Sequence, residues 1–191
     1  RGYRQRDIPE LILTKNLYGL DICPRAAQLT AFSLLMKGRE DDRRLLERGI
    51  QLNVMALKDS TGLNVERLAA SVDLAAAGIS SADVRMLAEL FAHATTFGSL
   101  IQVPEALADK LPEFKLLLEQ ISRDLFATNE LRRLGALTQQ AEILARRYDT
   151  VVANPPYMGI KGMNADIKGL ASEHYPDAKT DLFACFIERG Y

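Results

Sequence analysis

The chain has 191 residues, of which 48% are hydrophobic and 26% are charged, and its net charge is −1. Such a composition is typical of a globular protein with one sizeable core, and it argues against a protein coated with nucleic-acid-binding charge. No run approaches the ~18 consecutive apolar residues of a membrane-spanning helix, and no basic-then-apolar leader is present, so we expect a cytoplasmic protein without a membrane partner. The two cysteines, Cys23 and Cys185, lie far apart and only two histidines occur, so no metal site is expected.

The first part of the chain has the pattern of an α/β fold. Residues 16–22 form a short apolar run that ends in an acid, Asp21, and a proline then opens an amphipathic helix. Residues 51–57 are a second predicted strand, and Asp59 lies in the loop after it. The order strand, helix, strand is typical of a parallel, doubly wound sheet.

A long helical stretch interrupts this pattern. Helical spacing of apolar residues predicts helices over residues 65–77, 82–95 and 112–148, the last with possible breaks. The apolar stripe of the last segment indicates core or a helix-pair interface, without chemistry of its own. Residues 95–101 break the helical pattern at a Gly-Ser pair, which fits either an active-site flap or a connection between helices, and we favour the connection.

Residues 149–157, Asp-Thr-Val-Val-Ala-Asn-Pro-Pro-Tyr, are the most informative stretch of the sequence. The two valines favour a strand, and Pro155 and Pro156 cannot donate to a ladder, so the predicted strand ends at Asn154. Each proline also stiffens the chain around it. We therefore expect a rigid, open loop at the carboxyl end of a strand, which is where ligands bind in open α/β sheets.

The side chains of this loop suit a planar, amino-bearing ligand. The oxygen of Asn154 and a main-chain carbonyl can accept hydrogen bonds from an NH2 group whose lone pair is delocalised, and Tyr157 can stack on the ring. Holding that lone pair toward a methyl donor is electrostatic preorganisation and needs no strong base. A base in duplex DNA would first have to leave the stack, at a cost of roughly a few kcal/mol. The alternative is that Asn-Pro-Pro is only a turn.

The residues after this loop are a second, glycine-punctuated loop and a helix. Residues 158–164 contain two glycines, a composition typical of a segment that moves or lies close to a ligand. The helix is predicted to begin after Thr180 or Asp181. Phe183 and Phe186 are on its apolar face, so we expect them mainly to pack.

The order of three segments, 17–22, 154–157 and 180–190, resembles amino-methylating DNA adenine methyltransferases. More narrowly, the chain resembles the PglX adenine methyltransferases of bacteriophage exclusion (BREX) defence systems. This narrower likeness extends over nearly the whole chain and rests on residues 1–9, 97–101, 154–164 and 175–183.

The resemblance implies a partial Rossmann-like methyltransferase sheet that uses S-adenosyl-L-methionine and carries a large helical insertion. Residues 1–62 would be the first part of the α/β core, 63–147 the insertion, and 148–191 the second part of the core. The resemblance also implies that Asn154, Pro155, Pro156 and Tyr157 hold a flipped adenine at its exocyclic amino group.

The same family places acids and an aromatic residue around the cofactor. Asp21, next to Ile22, would accept hydrogen bonds from the ribose hydroxyls, a role that suits an acid at the tip of a parallel strand. The alternative for Asp21 is to cap the following helix. Asp59 matches, less clearly, the acid near the cofactor's adenine ring. Phe186 corresponds to an aromatic that packs on that ring, although a core position fits it better.

The implied function is site-specific adenine N6-methylation of double-stranded DNA in phage defence and restriction-modification, with other BREX proteins as partners. The family's glycine-rich cofactor turn and its target-recognition region are absent from the sequence, so we expect a piece of a longer protein that is inactive by itself. Two alternatives remain open. One is a protein glutamine N5-methyltransferase, which the long separation of Asp21 from Asn154 disfavours, and the other is a non-catalytic assembly module.

Overall fold

Two short parallel strands form the sheet of the first of two units, Arg1–Leu57. In the computed structural model, which describes residues 2–121 and 129–190, β1 is Tyr18–Asp21 and β2 is Asn53–Ala56. Asp21 lies opposite Ala56 in the register, and the ladder continues where Leu57 N donates to Asp21 O over 2.8 Å. The strands predicted over residues 16–22 and 51–57 are confirmed, with tighter bounds.

Helix α1, Pro24–Asp41, connects the strands and packs against both of them. It begins at a proline, where the missing N–H removes no helical hydrogen bond. Gly38 allows close packing near its end, because an added Cβ would lie 2.7 Å from Leu45 Cδ2 and 2.9 Å from Leu13 Cδ1. The residues before β1 form short helical turns, which are Gln5–Asp7, Ile8–Leu11 and Ile12–Asn16.

The second unit, Lys58–Tyr191, is helical wherever it has regular structure among its described residues. Its longer helices are α2 Val65–Ser71, α3 Ser81–Leu90, α4 Leu111–Ile121, α5 Asn129–Ala145, α6 Ala165–His174 and α7 Leu182–Gly190. Shorter helical turns are Ala75–Ala77, Ala94–Phe97, Gly98–Leu100 and Glu105–Ala108. No helix in the described ranges is both long enough and apolar enough to span a bilayer.

The predicted helices are present, but each is shorter than the range over which its apolar spacing predicted it. The helix predicted over 65–77 ends at Ser71, and the chain then turns through Gly78 at φ 73°. The one predicted over 112–148 is seen as α4 and α5, and its residues 122–128 lie outside the described part of the chain. The buried faces of these helices form the core of the unit, with Leu68, Val84, Leu87, Phe91, Phe114 and Leu134 among its members.

The Gly-Ser segment connects helices, as predicted, and much of it is buried. Gly98 begins a short helical turn and is itself buried, and Leu100 and Ile101 are only 2% and 1% exposed. Gly98 has φ 60° and ψ −142°, a backbone conformation that is open almost only to glycine. The segment is therefore part of the core of this unit.

The strand predicted before Asn154 is not present. Residues 150–158 have no regular secondary structure, and Val151 and Val152 are 60% and 92% exposed. A strand is held by hydrogen bonds to a neighbouring strand, and no segment within the described residues pairs with this one. The β-branched side chains favour extended backbone, but without a partner they do not form a ladder.

The architecture is thus mostly helical α/β with one two-stranded parallel sheet. This bears out the α/β class in a coarse form. The larger Rossmann-like sheet and the three-part division of the chain stay predictions.

Gln140 is a fully buried polar side chain that holds the beginning of the second unit. Its Oε1 accepts a hydrogen bond from Lys58 N over 2.6 Å, and its Nε2 donates to Lys58 O over 3.1 Å. The side chain therefore pairs with the backbone as a neighbouring strand would. We expect Gln140→Leu to lower the free energy of unfolding by about 1–3 kcal/mol, because both bonds are lost. Urea denaturation measures the change.

The adjacent Gln139 is exposed and provides the matched control. We expect Gln139→Leu to change the free energy of unfolding by less than about 0.5 kcal/mol. Equal effects of the two substitutions would contradict the role given to the Gln140 amide.

The backbone of Gly98 gives a second expectation. Gly98→Ala should lower the free energy of unfolding by about 1–3 kcal/mol, because alanine does not reach this conformation without strain. Gly169 is the control, since it is exposed within α6 and an added Cβ would meet nothing within 4 Å. Gly169→Ala should raise the stability by about 0.5–1 kcal/mol. Thermal unfolding of both variants tests the difference in sign.

Candidate active site

The Asn-Pro-Pro-Tyr segment is an open surface loop of the second unit. Asn154 and Pro156 are exposed, Pro155 is half-buried, and the Tyr157 side chain is 86% exposed. The segment is not helical, and both proline nitrogens lack a hydrogen to donate. An amide and an aromatic ring are therefore available to a ligand at this surface.

Backbone hydrogen bonds tie the residues after Tyr157 to the beginning of α7. Leu182 N donates to Met158 O, and Ile160 N donates to Thr180 O, each over 2.9 Å. Gly159 and Asp181 form the antiparallel bridge between these two bonds. The exposed loop thus has a fixed carboxyl-terminal end.

Tyr157 is stacked on Phe183, the second residue of α7. Their ring centroids are 5.5 Å apart and the ring planes differ by 16°. Sequence reasoning assigned Phe183 to the apolar face of the helix and missed this contact. The one sequence feature that pointed to this contact is the position of Phe183 directly after the predicted start of the helix.

A small hydrophobic core lies beneath the loop and α7. Its buried members are Leu100, Met163, Ala171, Tyr175, Leu182 and Cys185. The Tyr175 hydroxyl donates to Leu100 O over 2.7 Å. Burial raises the pKa of the Tyr175 hydroxyl and that of the Cys185 thiol, so both groups are uncharged at neutral pH.

Phe186 is half-buried and packs against this core. The contact matches the packing role that its sequence position favours. Because part of the ring is still accessible, a cofactor contact at Phe186 stays a prediction.

Asp21 ends β1 in the first unit and is exposed. Its Oδ1 accepts a hydrogen bond from Cys23 N over 2.7 Å, which shapes the turn into α1. Cys23 is the residue before the first helical residue, so Asp21 supports the turn and does not cap the helix itself. Its Oδ2 has no hydrogen-bond partner among residues 2–121 and 129–190. Ile22 beside it is 53% exposed.

Asp59, in the second unit, is already bound to protein groups. Its Oδ1 accepts from Thr95 N over 2.8 Å, and both carboxylate oxygens accept from Thr95 Oγ1 at 3.1 and 2.9 Å. These bonds join the loop after β2 to the short helix Ala94–Phe97. Both oxygens of the Asp59 carboxylate are therefore engaged, whereas only one oxygen of the Asp21 carboxylate is.

The model of the family described as Eco57I restriction-modification methylase matches residues 15–191. The chain is 44% identical over 215 aligned positions to the adenine-specific methyltransferase BrxX of Escherichia coli O9:H4 (strain HS). It is 32% identical over 193 positions to the adenine-specific methyltransferase PglX of Lacticaseibacillus casei (strain Zhang).

The alignments include all of this chain in the first comparison and 98% of it in the second, but only 18% and 16% of the relatives' lengths. The likeness to PglX inferred from the sequence is thereby confirmed. Since the family model matches well over half of its residues, the chain belongs to the Eco57I restriction-modification methylase family.

Proposed function

We propose that this chain is the part of an adenine-specific DNA methyltransferase that grips the target base. The observation that carries the proposal is the exposed Asn154–Tyr157 loop, fixed at one end to α7, in a relative of BrxX and PglX. An exposed amide and ring, on a loop held at its carboxyl-terminal end, match the requirements of a planar substrate that has to enter from solution.

In the proposed mechanism Asn154 holds the exocyclic amino group of adenine. Its side-chain oxygen and a neighbouring main-chain carbonyl accept the two N–H hydrogens. This arrangement directs the nitrogen lone pair, which is otherwise delocalised into the ring, toward the methyl donor. The proline rings support the grip by limiting the backbone freedom of the loop.

Tyr157 stacks on the face of the extruded base. Extrusion from duplex DNA costs roughly a few kcal/mol. Stacking on an aromatic side chain offsets about 1–3 kcal/mol of this free energy. The exposed ring of Tyr157 is suited to this role because little of it is occupied by other contacts.

S-adenosyl-L-methionine, when bound, supplies an electrophilic methyl group on a sulfonium. Asp21 fits such a ligand, because it is an exposed acid at the end of a parallel strand and has one carboxylate oxygen without a partner. It would accept hydrogen bonds from the ribose hydroxyls, with Ile22 beside it. Phe186 and Asp59 are weaker candidates for the adenine end of the cofactor, since each already has a structural contact.

The finer proposal is a role in bacteriophage exclusion, acting on double-stranded DNA together with other defence proteins. It rests on the likeness to PglX. A protein amide also presents a planar NH2 group, so methyl transfer to glutamine is the competing outcome. The intervening helices α2–α5 disfavour it, because compact glutamine methyltransferases have far fewer residues between the acid and the Asn-Pro-Pro-Tyr motif.

Asn154→Ala in the full-length protein is expected to abolish adenine methylation, because the main acceptor for the amino group is lost. Affinity for S-adenosylmethionine should stay near the wild-type value. Sequencing of modified adenines in cells that carry only the variant measures the first effect, and calorimetric titration measures the second. Asn16→Ala, at another exposed asparagine, is the control. Modified adenines at the wild-type level in Asn154→Ala cells would refute the assignment.

Tyr157→Ala is expected to weaken binding of DNA with an extruded adenine by about 1–3 kcal/mol. The melting temperature should not change, because the side chain is 86% exposed. Tyr157→Phe retains the ring and should bind nearly as well as the wild type. The assignment is wrong if the phenylalanine variant loses as much affinity as the alanine variant.

A further inference from the structure

The ring of Tyr157 has a protein partner for which the proposed chemistry gives no role. Phe183 lies nearly parallel to it, with a centroid distance of 5.5 Å, within the range of offset aromatic stacking. Tyr157 is nevertheless 86% exposed, so the contact covers only a small part of its ring. Most of the ring is still free for a second stacking partner.

The backbone places these two rings side by side. Met158 O and Leu182 N form one of the hydrogen bonds between the loop and α7. Tyr157 directly precedes Met158, and Phe183 directly follows Leu182, so both rings flank the same bonded pair. Phe183 N also donates to Asp181 Oδ1 over 2.9 Å, which fixes the first turn of the helix.

The two residues differ in their freedom. Phe183 is half-buried on a helix whose Leu182 and Cys185 belong to the hydrophobic core. Tyr157 is on an exposed loop, where a side chain that lacks a neighbour samples several rotamers. Ordering such a side chain at the moment of binding reduces affinity, and a ring that is already oriented avoids this cost.

We infer that Phe183 is a positioning residue for Tyr157 and keeps that ring in the orientation that stacks on the extruded base. Phe183 acts through Tyr157 and does not itself contact the base. The inference rests on the proposed function. It adds a second aromatic layer to the base-holding site, on a helix whose Leu182 and Cys185 belong to the core.

The test uses the full-length protein, radiolabelled S-adenosylmethionine, and genomic DNA from cells that lack the protein. Phe183→Leu and Phe183→Met remove the ring and keep most of its volume, and Phe183→Tyr keeps the ring. Ile187→Leu, at an exposed position of the same helix, is the control. We expect both ring-free variants to show about a 2- to 10-fold lower kcat/KM for DNA, the range expected for one aromatic pair.

Three further results are expected. Phe183→Tyr and Ile187→Leu methylate at the wild-type rate. The dissociation constant for S-adenosylmethionine and the melting temperature do not change in the ring-free variants. In a Tyr157→Ala background Phe183→Leu has no additional effect, because residues that act through one another are not additive.

The inference is overturned if the ring-free variants methylate DNA as fast as the wild type. It is also overturned if they are faster, because Phe183 would then occupy the place of the base. A loss of cofactor affinity or melting temperature in proportion to the loss of rate would indicate a structural role, as would full additivity with Tyr157→Ala. Two ring-free side chains are used so that poor folding of one variant does not decide the outcome.

Failure of this inference is distinguishable from failure of the proposed function. If the wild-type protein methylates DNA and Asn154→Ala does not, a wild-type rate in Phe183→Leu rejects only the role of Phe183. If the wild-type protein transfers no methyl group to DNA, the proposed function itself is rejected.

Discussion

The candidate site depends on the pair of backbone hydrogen bonds that join the residues after Tyr157 to the beginning of α7. Without the bonds of Met158 and Ile160, only the stack of Tyr157 on Phe183 would join the Asn-Pro-Pro-Tyr loop to α7 in the described part of the chain. The prolines stiffen the loop but cannot donate hydrogen bonds, so its anchor has to lie further along the chain. These bonds make it possible for a loop to be exposed and yet fixed at one end.

Hydrogen bonds connect the helical stretch between β2 and the Asn-Pro-Pro-Tyr loop to the segments on both sides of it. Tyr175 donates to Leu100 O, and Arg189 of α7 donates to Leu144 O near the end of α5 over 3.1 Å. Gln140 of α5 in turn holds the backbone of Lys58. The helical stretch therefore supports both the segment after β2 and the segment after the loop.

Much of this structure could be predicted from short-range patterns, and the errors have physical causes. The strands β1 and β2 were predictable because each is an apolar run bounded by turn residues, and they pair with each other. Val151 and Val152 are also in a short apolar run bounded by turn residues, but such a run does not reveal whether a partner strand is present. Phe183 has the helical spacing of a packing residue, and only three-dimensional structure shows that its ring meets that of Tyr157.

The backbone around Val152 has no regular secondary structure, whereas the backbone from Met158 to Ile160 is hydrogen-bonded to the beginning of α7. Val151 N and Val152 N have no acceptor among the described residues, while Ile160 N and Leu182 N each donate to a backbone carbonyl. The Asn154–Tyr157 loop thus lies between a stretch whose backbone amides have no acceptor in the described structure and a stretch whose amides are hydrogen-bonded. Under the proposed function, such a loop can adjust to an incoming ring on its amino-terminal side, while the hydrogen bonds on its carboxyl-terminal side keep its position.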